Sequence, residues 1–181
     1  MSQPSPIAAV RDSLNADRAT LRAAVDRVPP ARRGERPGAG RWSVAEVLEH
    51  LSIVEGRIVM MLGAMVPSAP ARTEAVGGAT PIDRAAMRNR LNRISAPDPI
   101  QPTGTVGADE AWAALERSRA GLLAVLETAD GRDLTQISRQ HPVLGALDGY
   151  QWIASVGGHE ERHALQIIEI ADEFASRSRH T

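Results

Sequence analysis

The sequence contains no cysteine and no lysine, so all 21 of its basic side chains are arginine. Without cysteine there are no disulfides, no thiolate metal sites and no cysteine nucleophile. Any metal must be held by histidine and carboxylate. The arginines are matched by 22 acidic residues, which leaves a formal charge of −1. That balance provides no net positive field to neutralise phosphates, and nucleic acid is not an expected partner. Aromatic residues make up only 3% of the chain (Trp42, Trp112, Tyr150, Trp152, Phe174), too few for a base-stacking platform. Long apolar runs are lacking too. The segment 53–66 is broken by Glu55, Gly56 and Arg57, and no uninterrupted stretch approaches the ~20 residues needed to cross a bilayer. The first ten residues lack a basic region followed by an apolar one, so a secretory signal is not expected. These absences lead to the expectation of a soluble cytoplasmic protein without a membrane partner.

What the sequence does hold is a hydrophobic content of 43% over 181 residues, enough for a core, together with five histidines. The length predicts a single domain over residues 1–181 with its core at about 7–175. Apolar periodicity is helical almost everywhere. A first helix is predicted over residues 6–28, with Val10, Leu14, Leu21, Val25 and Val28 on one stripe and Pro29-Pro30 as the stop. Asp17 lies on that stripe, and the expected place for one acidic residue there is a helix edge facing water. Ser43 with Glu46 forms the capping box of a second helix, with Trp42 stapled onto Val47. Its stripe runs through Val47, His50, Leu51, Val54, Ile58, Met61, Leu62 and Met65. A third helix is predicted from Asp109, as N-cap, to Ala129, with Trp112, Leu115, Leu122 and Leu126 inward. A fourth runs from the cap at Asp148, with Gln151 three residues on, to about Ser176.

Four amphipathic helices without a convincing strand predict an all-α four-helix bundle. The run Pro142-Val143-Leu144-Gly145 is too short and too Pro/Gly-bounded to predict a strand. Residues 67–107 form a long connection between the second and third helices. Within it Thr80-Pro81 opens a short extra helix whose Ile82, Met87, Leu91 and Ile94 are expected to cover the bundle.

The histidines are the distinctive chemical resource. His159 and His163 are one helical turn apart, and both leave the face that carries Trp152, Val156, Ile167 and Ile170. His50 sits on the core stripe of the second helix. Three imidazoles aimed inward cost free energy unless each finds a partner. Two readings satisfy this: a shared divalent cation with an open coordination position, or three separately satisfied histidines. His141 is placed in a loop and His180 in the tail.

The run His159-Glu160-Glu161-Arg162-His163 also matches H-E-x-x-H, the zinc motif of metalloproteases. Glu169 falls where a longer version of that motif has its third ligand. On a continuous helix it lies six residues past His163, about 240° away, and cannot reach the same ion. With no strand to hold an extended peptide, protease activity is not expected. Glu160 is rotated ~100° from His159. It is either a base at the edge of the site or solvated helix surface, and the spacing favours the latter. Gln166 faces the same region as the histidines, as a contact to a ligand imidazole or to substrate, or as a helix-interface residue.

Together these residues carry a resemblance. Arg41-Trp42-Ser43-Val44-Ala45-Glu46-Val47-Leu48-Glu49-His50-Leu51 resembles the W-S-x-x-E-x-x-x-H-L segment of the DinB-like superfamily. His141-Pro142-Val143-Leu144-Gly145, Gln151-Trp152-Ile153 and the run from His159 to Ile167 are similar to its C-terminal signature. The resemblance implies a four-helix bundle in which His50, His159 and His163 hold a divalent metal, nickel or zinc. It further implies metal-dependent enzymes of two kinds. S-transferases or isomerases use a low-molecular-weight thiol such as mycothiol, bacillithiol or glutathione; hydrolases activate water. Under this reading the partner is a small-molecule substrate, Glu160 is the candidate catalytic residue, and Arg57 or Arg162 are candidates to hold substrate carboxylates. The competing class is a non-catalytic metal- or ligand-binding bundle, or a stress-associated interaction protein. A homodimer through exposed bundle faces is the candidate assembly.

Overall fold

Four long helices carry the structure: α1 (Pro6–Asp26), α2 (Val44–Met65), α4 (Ala108–Ala129) and α5 (Gly149–Ser178). A short α3 (Arg84–Arg88) lies between α2 and α4, and a hairpin of β1 (Ser138–His141) and β2 (Gly145–Asp148) precedes α5. The computed structural model describes residues 6–73, 81–91 and 95–179. α2 packs along α4, α1 along α5, and α2 also meets α5, which gives the expected four-helix bundle.

Side chains fix where α2 and α5 begin. The Ser43 hydroxyl accepts from the Glu46 N–H at 3.2 Å, and the Glu46 carboxylate accepts from the Ser43 N–H at 2.8 Å. Asp148 and Gln151 make the same reciprocal pair at 2.8 and 3.0 Å. Each pair satisfies N–H groups that a helix start leaves without partners. Since α5 is anchored this way, the heights of His159 and His163 along it are set from its first turn.

The core is in two apolar halves. One gathers Leu14, Ile58, Leu62, Leu122, Leu126, Ile153 and Val156, and the other Leu21, Val47, Leu51, Leu115, Ala164 and Ile167. Between them each long helix contributes one charged residue. Arg18 follows Leu14 on α1, Glu55 follows Leu51 on α2, Arg119 follows Leu115 on α4, and Glu160 follows Val156 on α5. Glu55, Arg119 and Glu160 are buried. The Arg119 Nε donates to Glu55 Oε1 at 2.7 Å, and its Nη2 lies 3.0 Å from Glu160 Oε1. The Arg18 Nε donates to the same Glu160 oxygen at 2.8 Å and its Nη2 to Glu55 Oε2 at 3.0 Å. Two carboxylates and two guanidinium groups thus neutralise one another in the middle of the bundle, as buried charge requires.

Several local expectations are corrected. Pro142, Val143 and Leu144 form the turn of a real hairpin, with His141 paired to Gly145 and Ser138 to Asp148. β1 reads Ser-Arg-Gln-His and is mostly exposed, so no apolar alternation announces it. Gly145 sits at φ +79°, a backbone conformation that glycine adopts without strain. Asp109 is not the N-cap of α4; Gly107 holds that position without a side-chain bond, and Asp109 lies in the first turn, where it complements the helix dipole. Asp17 is buried rather than facing water, because the Arg84 guanidinium from α3 pairs with it. In the connection Ile82 and Met87 pack inward as expected, but Leu91 is 93% exposed. The backbone leaves the helical path after Arg88, so Leu91 cannot follow the stripe. Thr80 and Ile94 lie outside the described residues.

The run Val44–Ser68 is long and apolar enough in composition to cross a bilayer. It also buries Glu46, Glu49, His50 and Glu55 against other parts of the chain, which is the behaviour of a bundle helix.

Candidate metal centre

His50 stands on α2, and His159 and His163 stand a turn apart on α5, where the two helices face each other. Their Nε2 atoms converge. His159 Nε2 lies 3.3 Å from that of His50 and 3.1 Å from that of His163. One ligand atom from each of the three falls within 4.8 Å of the others. Two nitrogens on a tetrahedral ion at the usual zinc–imidazole distance lie about 3.3 Å apart. Trp42, expected as a staple on Val47, also covers the site: its ring centre is 4.9 Å from His50 and 6.4 Å from His163, stacked on the latter at 19°.

Neighbouring oxygens fix two of the tautomers. His50 Nδ1 lies 2.7 Å from the Ile100 carbonyl, which can only accept, so Nδ1 carries the proton. His163 Nδ1 lies 2.9 Å from Gln166 Oε1, an atom that also faces the Arg90 guanidinium at 3.4 Å. The oxygen assignment therefore holds, and this imidazole too is protonated at Nδ1. Both rings consequently turn bare Nε2 lone pairs toward His159. One proton on His159 Nε2 can satisfy one of them at most. At least one pair of nitrogens is left lone pair to lone pair, an arrangement that a cation between them resolves. The donor set fits a divalent ion of zinc or nickel type.

Electrostatics keep the cluster neutral. Burial, then the neighbouring imidazole of His50 and the Arg162 guanidinium, pushes His159 down to about 3. Burial and the other two imidazoles hold His163 well below the ordinary histidine range. Burial also lowers His50, against the opposing effect of its bond to Ile100. At pH 7 all three imidazoles are therefore uncharged, the state a metal ligand needs.

The connection closes on the site from two sides. On one, the Ile100 carbonyl holds His50, the Arg57 guanidinium donates to the Pro99 carbonyl at 2.7 Å, and Glu49 accepts from the Thr103 N–H and hydroxyl at 3.0 and 2.7 Å. On the other, Arg162 donates to the Met87 and Asn89 carbonyls, and Met87 sits against Gly158. A Cβ on Gly158 would lie 2.6 Å from Met87 Sδ, so the Met87 side chain holds its present place against α5 because position 158 is a glycine. Arg57 and Arg162, considered above as carboxylate holders, serve as tethers of the connection.

The remaining candidates separate clearly. Gln166 is in direct contact with the His163 imidazole. Glu160 is not solvated surface; it is 1% exposed within the charged layer, held there by Arg18 and Arg119. Glu169 is on the outside of α5, paired with Arg90 at 2.7 and 2.9 Å. His141 accepts from the Val143 and Leu144 N–H groups at 3.1 Å and packs on Trp152, a hairpin role. His180 lies outside the described residues. Sequence reading missed the Ile100 carbonyl, for which no side-chain signal exists. It also missed the charged layer, which did leave one: Arg119 and Glu55 each interrupt an apolar stripe.

Comparison with known proteins agrees with this geometry. Residues 13–167 match the DinB superfamily. The chain belongs to that superfamily. It is also 30% identical over 141 residues to the uncharacterized protein YuaE of Bacillus subtilis (strain 168), a match covering 77% of this chain and 83% of that one. Among solved structures it is similar to TT2238, described as a four-helix bundle protein, with a TM-score of 0.54 and 22% identity. That match covers 88% of this chain and 96% of TT2238, and it supports the fold. The DinB assignment and the three-histidine cluster are together compatible with a metal-binding protein.

Proposed function

We propose that this DinB protein is a metal-dependent enzyme acting on a small molecule, with nickel or zinc held by His50, His159 and His163. The observation that carries this reading is the convergence of three neutral Nε2 atoms of which two have fixed lone pairs and no shared proton. A divalent ion bound there would supply the Lewis acidity that turns a thiol or a water into a nucleophile near neutral pH. The chain's own residues supply the rest. Ile100 and Gln166 orient two of the imidazoles, Trp42 shields the cluster, and the connection limits access. Because the protein has no cysteine, a thiol reaction draws its sulfur from a low-molecular-weight cosubstrate, in the manner of an S-transferase or isomerase. A hydrolase would use water.

The test has two stages. Protein purified without an added histidine tag, or loaded with nickel or zinc, carries about one ion per chain, and His163→Ala loses it. The loaded protein is then screened for conjugation of biological thiols and for ester and amide hydrolysis. Turnover that disappears in the His50, His159 and His163 alanine variants supports the enzyme. Metal binding without any turnover favours a metal- or ligand-binding module. A chain that binds neither metal removes the proposal.

A further inference from the structure

Two of the three imidazoles have a protein atom on Nδ1, and His159 does not. Its hydrogen-bonding contacts among the described residues are the two Nε2 approaches to His50 and His163, neither at Nδ1, and the residue is half-buried. Next to it in the chain lies a polar atom that is both buried and without a hydrogen bond. Glu160 is 1% exposed, and both arginines of the charged layer address its Oε1. Its Oε2 is buried without a hydrogen bond. Glu160 and His159 line the same small cavity between α2 and α5, whose other walls are Leu51, Val54, Glu55, Ile58 and Val156. The space is about 10 Å³, room for about one water molecule. Both Glu55 oxygens already accept, from Arg119, Arg18 and Ser118, so among the carboxylate oxygens of the lining residues Glu160 Oε2 is the one without a hydrogen bond.

We propose that Glu160 is a positioning residue for His159, acting through one buried water that bridges Glu160 Oε2 and His159 Nδ1. The inference rests on the three-histidine reading above and adds the missing third support to it. A metal-ligating histidine ordinarily gives its other ring nitrogen to a carboxylate, a carbonyl or a water. Here the first ligand uses the Ile100 carbonyl, the second the Gln166 amide, and the third a carboxylate through water. Water suits this place because it can serve both tautomers of His159. It donates to a bare Nδ1, or accepts from a protonated one, and in either case donates a hydrogen to Glu160. A bridging water of this kind is nearly as good as a direct hydrogen bond.

The test combines a crystal structure of the wild-type protein, metal-free and zinc-loaded, with zinc titrations of two variants. The structure is expected to show a water within hydrogen-bonding distance of both Glu160 Oε2 and His159 Nδ1; a cavity with no water touching both overturns the proposal. Glu160→Gln and Glu55→Gln remove the same charge from the same two arginines, and only the first alters the bridge. Glu160→Gln is expected to weaken zinc binding at least about tenfold, and Glu55→Gln less than about threefold. Equal losses would assign the effect to the charge layer and sink the idea. Should either variant fail to fold by circular dichroism, the wild-type crystal structure decides. Wild-type protein that binds no zinc ends the metal reading, while the metal-free crystal still answers whether Glu160 and His159 share a water.

Discussion

Gln166 accepts the Nδ1 proton of His163 at 2.9 Å, one turn further along the same helix. The bond fixes which nitrogen of His163 is bare and holds the ring at a set rotation. Gln166→Ala is therefore expected to lower zinc or nickel affinity by about 10- to 100-fold while leaving the helical content intact. Isothermal titration beside far-ultraviolet circular dichroism checks both parts. An unchanged affinity would mean that packing, with Trp42, already fixes the ring.

Acid should destabilise the metal-free protein in a defined window. The folded-state pKa values of His50, His159 and His163 lie below those of the unfolded chain. The unfolded state then binds more protons as the pH falls, so stability is full above about pH 6.5 and declines below it. The decline continues toward about pH 3, where His159 itself protonates. Each such group contributes up to about 1.4 kcal/mol per pH unit within the window. Urea unfolding at pH 7.5, 6 and 5 measures the slope, and His159→Ala should make it shallower.

The charged layer gives a different signature. Arg119→Met leaves Glu55 without its Nε donor and Glu160 with one cation in place of two. Removing one partner of a buried ionic network costs about 3–5 kcal/mol. Arg119→Met combined with Glu55→Met removes one charge of each sign and should recover part of that loss. Chemical denaturation of the two variants against wild type decides it, and a loss as large in the double variant as in the single one would contradict the pairing.

At Gly158 the prediction concerns the connection. Gly158→Val places methyl groups where Met87 now sits and should push α3 off α5. The expected results are faster proteolysis within residues 81–91 and a stability loss of about 1–3 kcal/mol. Limited proteolysis with mass mapping checks the first, and thermal melting the second.

Much of the three-histidine cluster was legible because its members lie on regular helices, where spacing alone fixes direction. His159 and His163 share a face by the four-residue rule, and His50 lies on a stripe of leucines and valines. Both capping boxes were readable for the same reason, since each is a local pattern of two residues. Asp17 and Glu160 were assigned to water because a helix wheel shows only which way a side chain points. Neutralisation by Arg84, or by Arg18 and Arg119, is a property of three other segments. The hairpin escaped for want of apolar residues in β1, and the Ile100 carbonyl because any residue carries one.

The four charges between the two apolar halves have a consequence for precision. Leucines and valines tolerate sliding, since one apolar contact is much like the next. Charges do not, because a shift of one residue along a helix moves each by about 1.5 Å and parts it from its counter-ion. Glu55 on α2 and Glu160 on α5 answer to the same pair of arginines, so the two helices are held at one relative height. His50 is five residues from Glu55, and His159 is the immediate neighbour of Glu160. A metal accepts its ligands only within about 0.2 Å. The layer thus works as an alignment key, a salt lock that indexes one helix against another so that three imidazoles meet at a point.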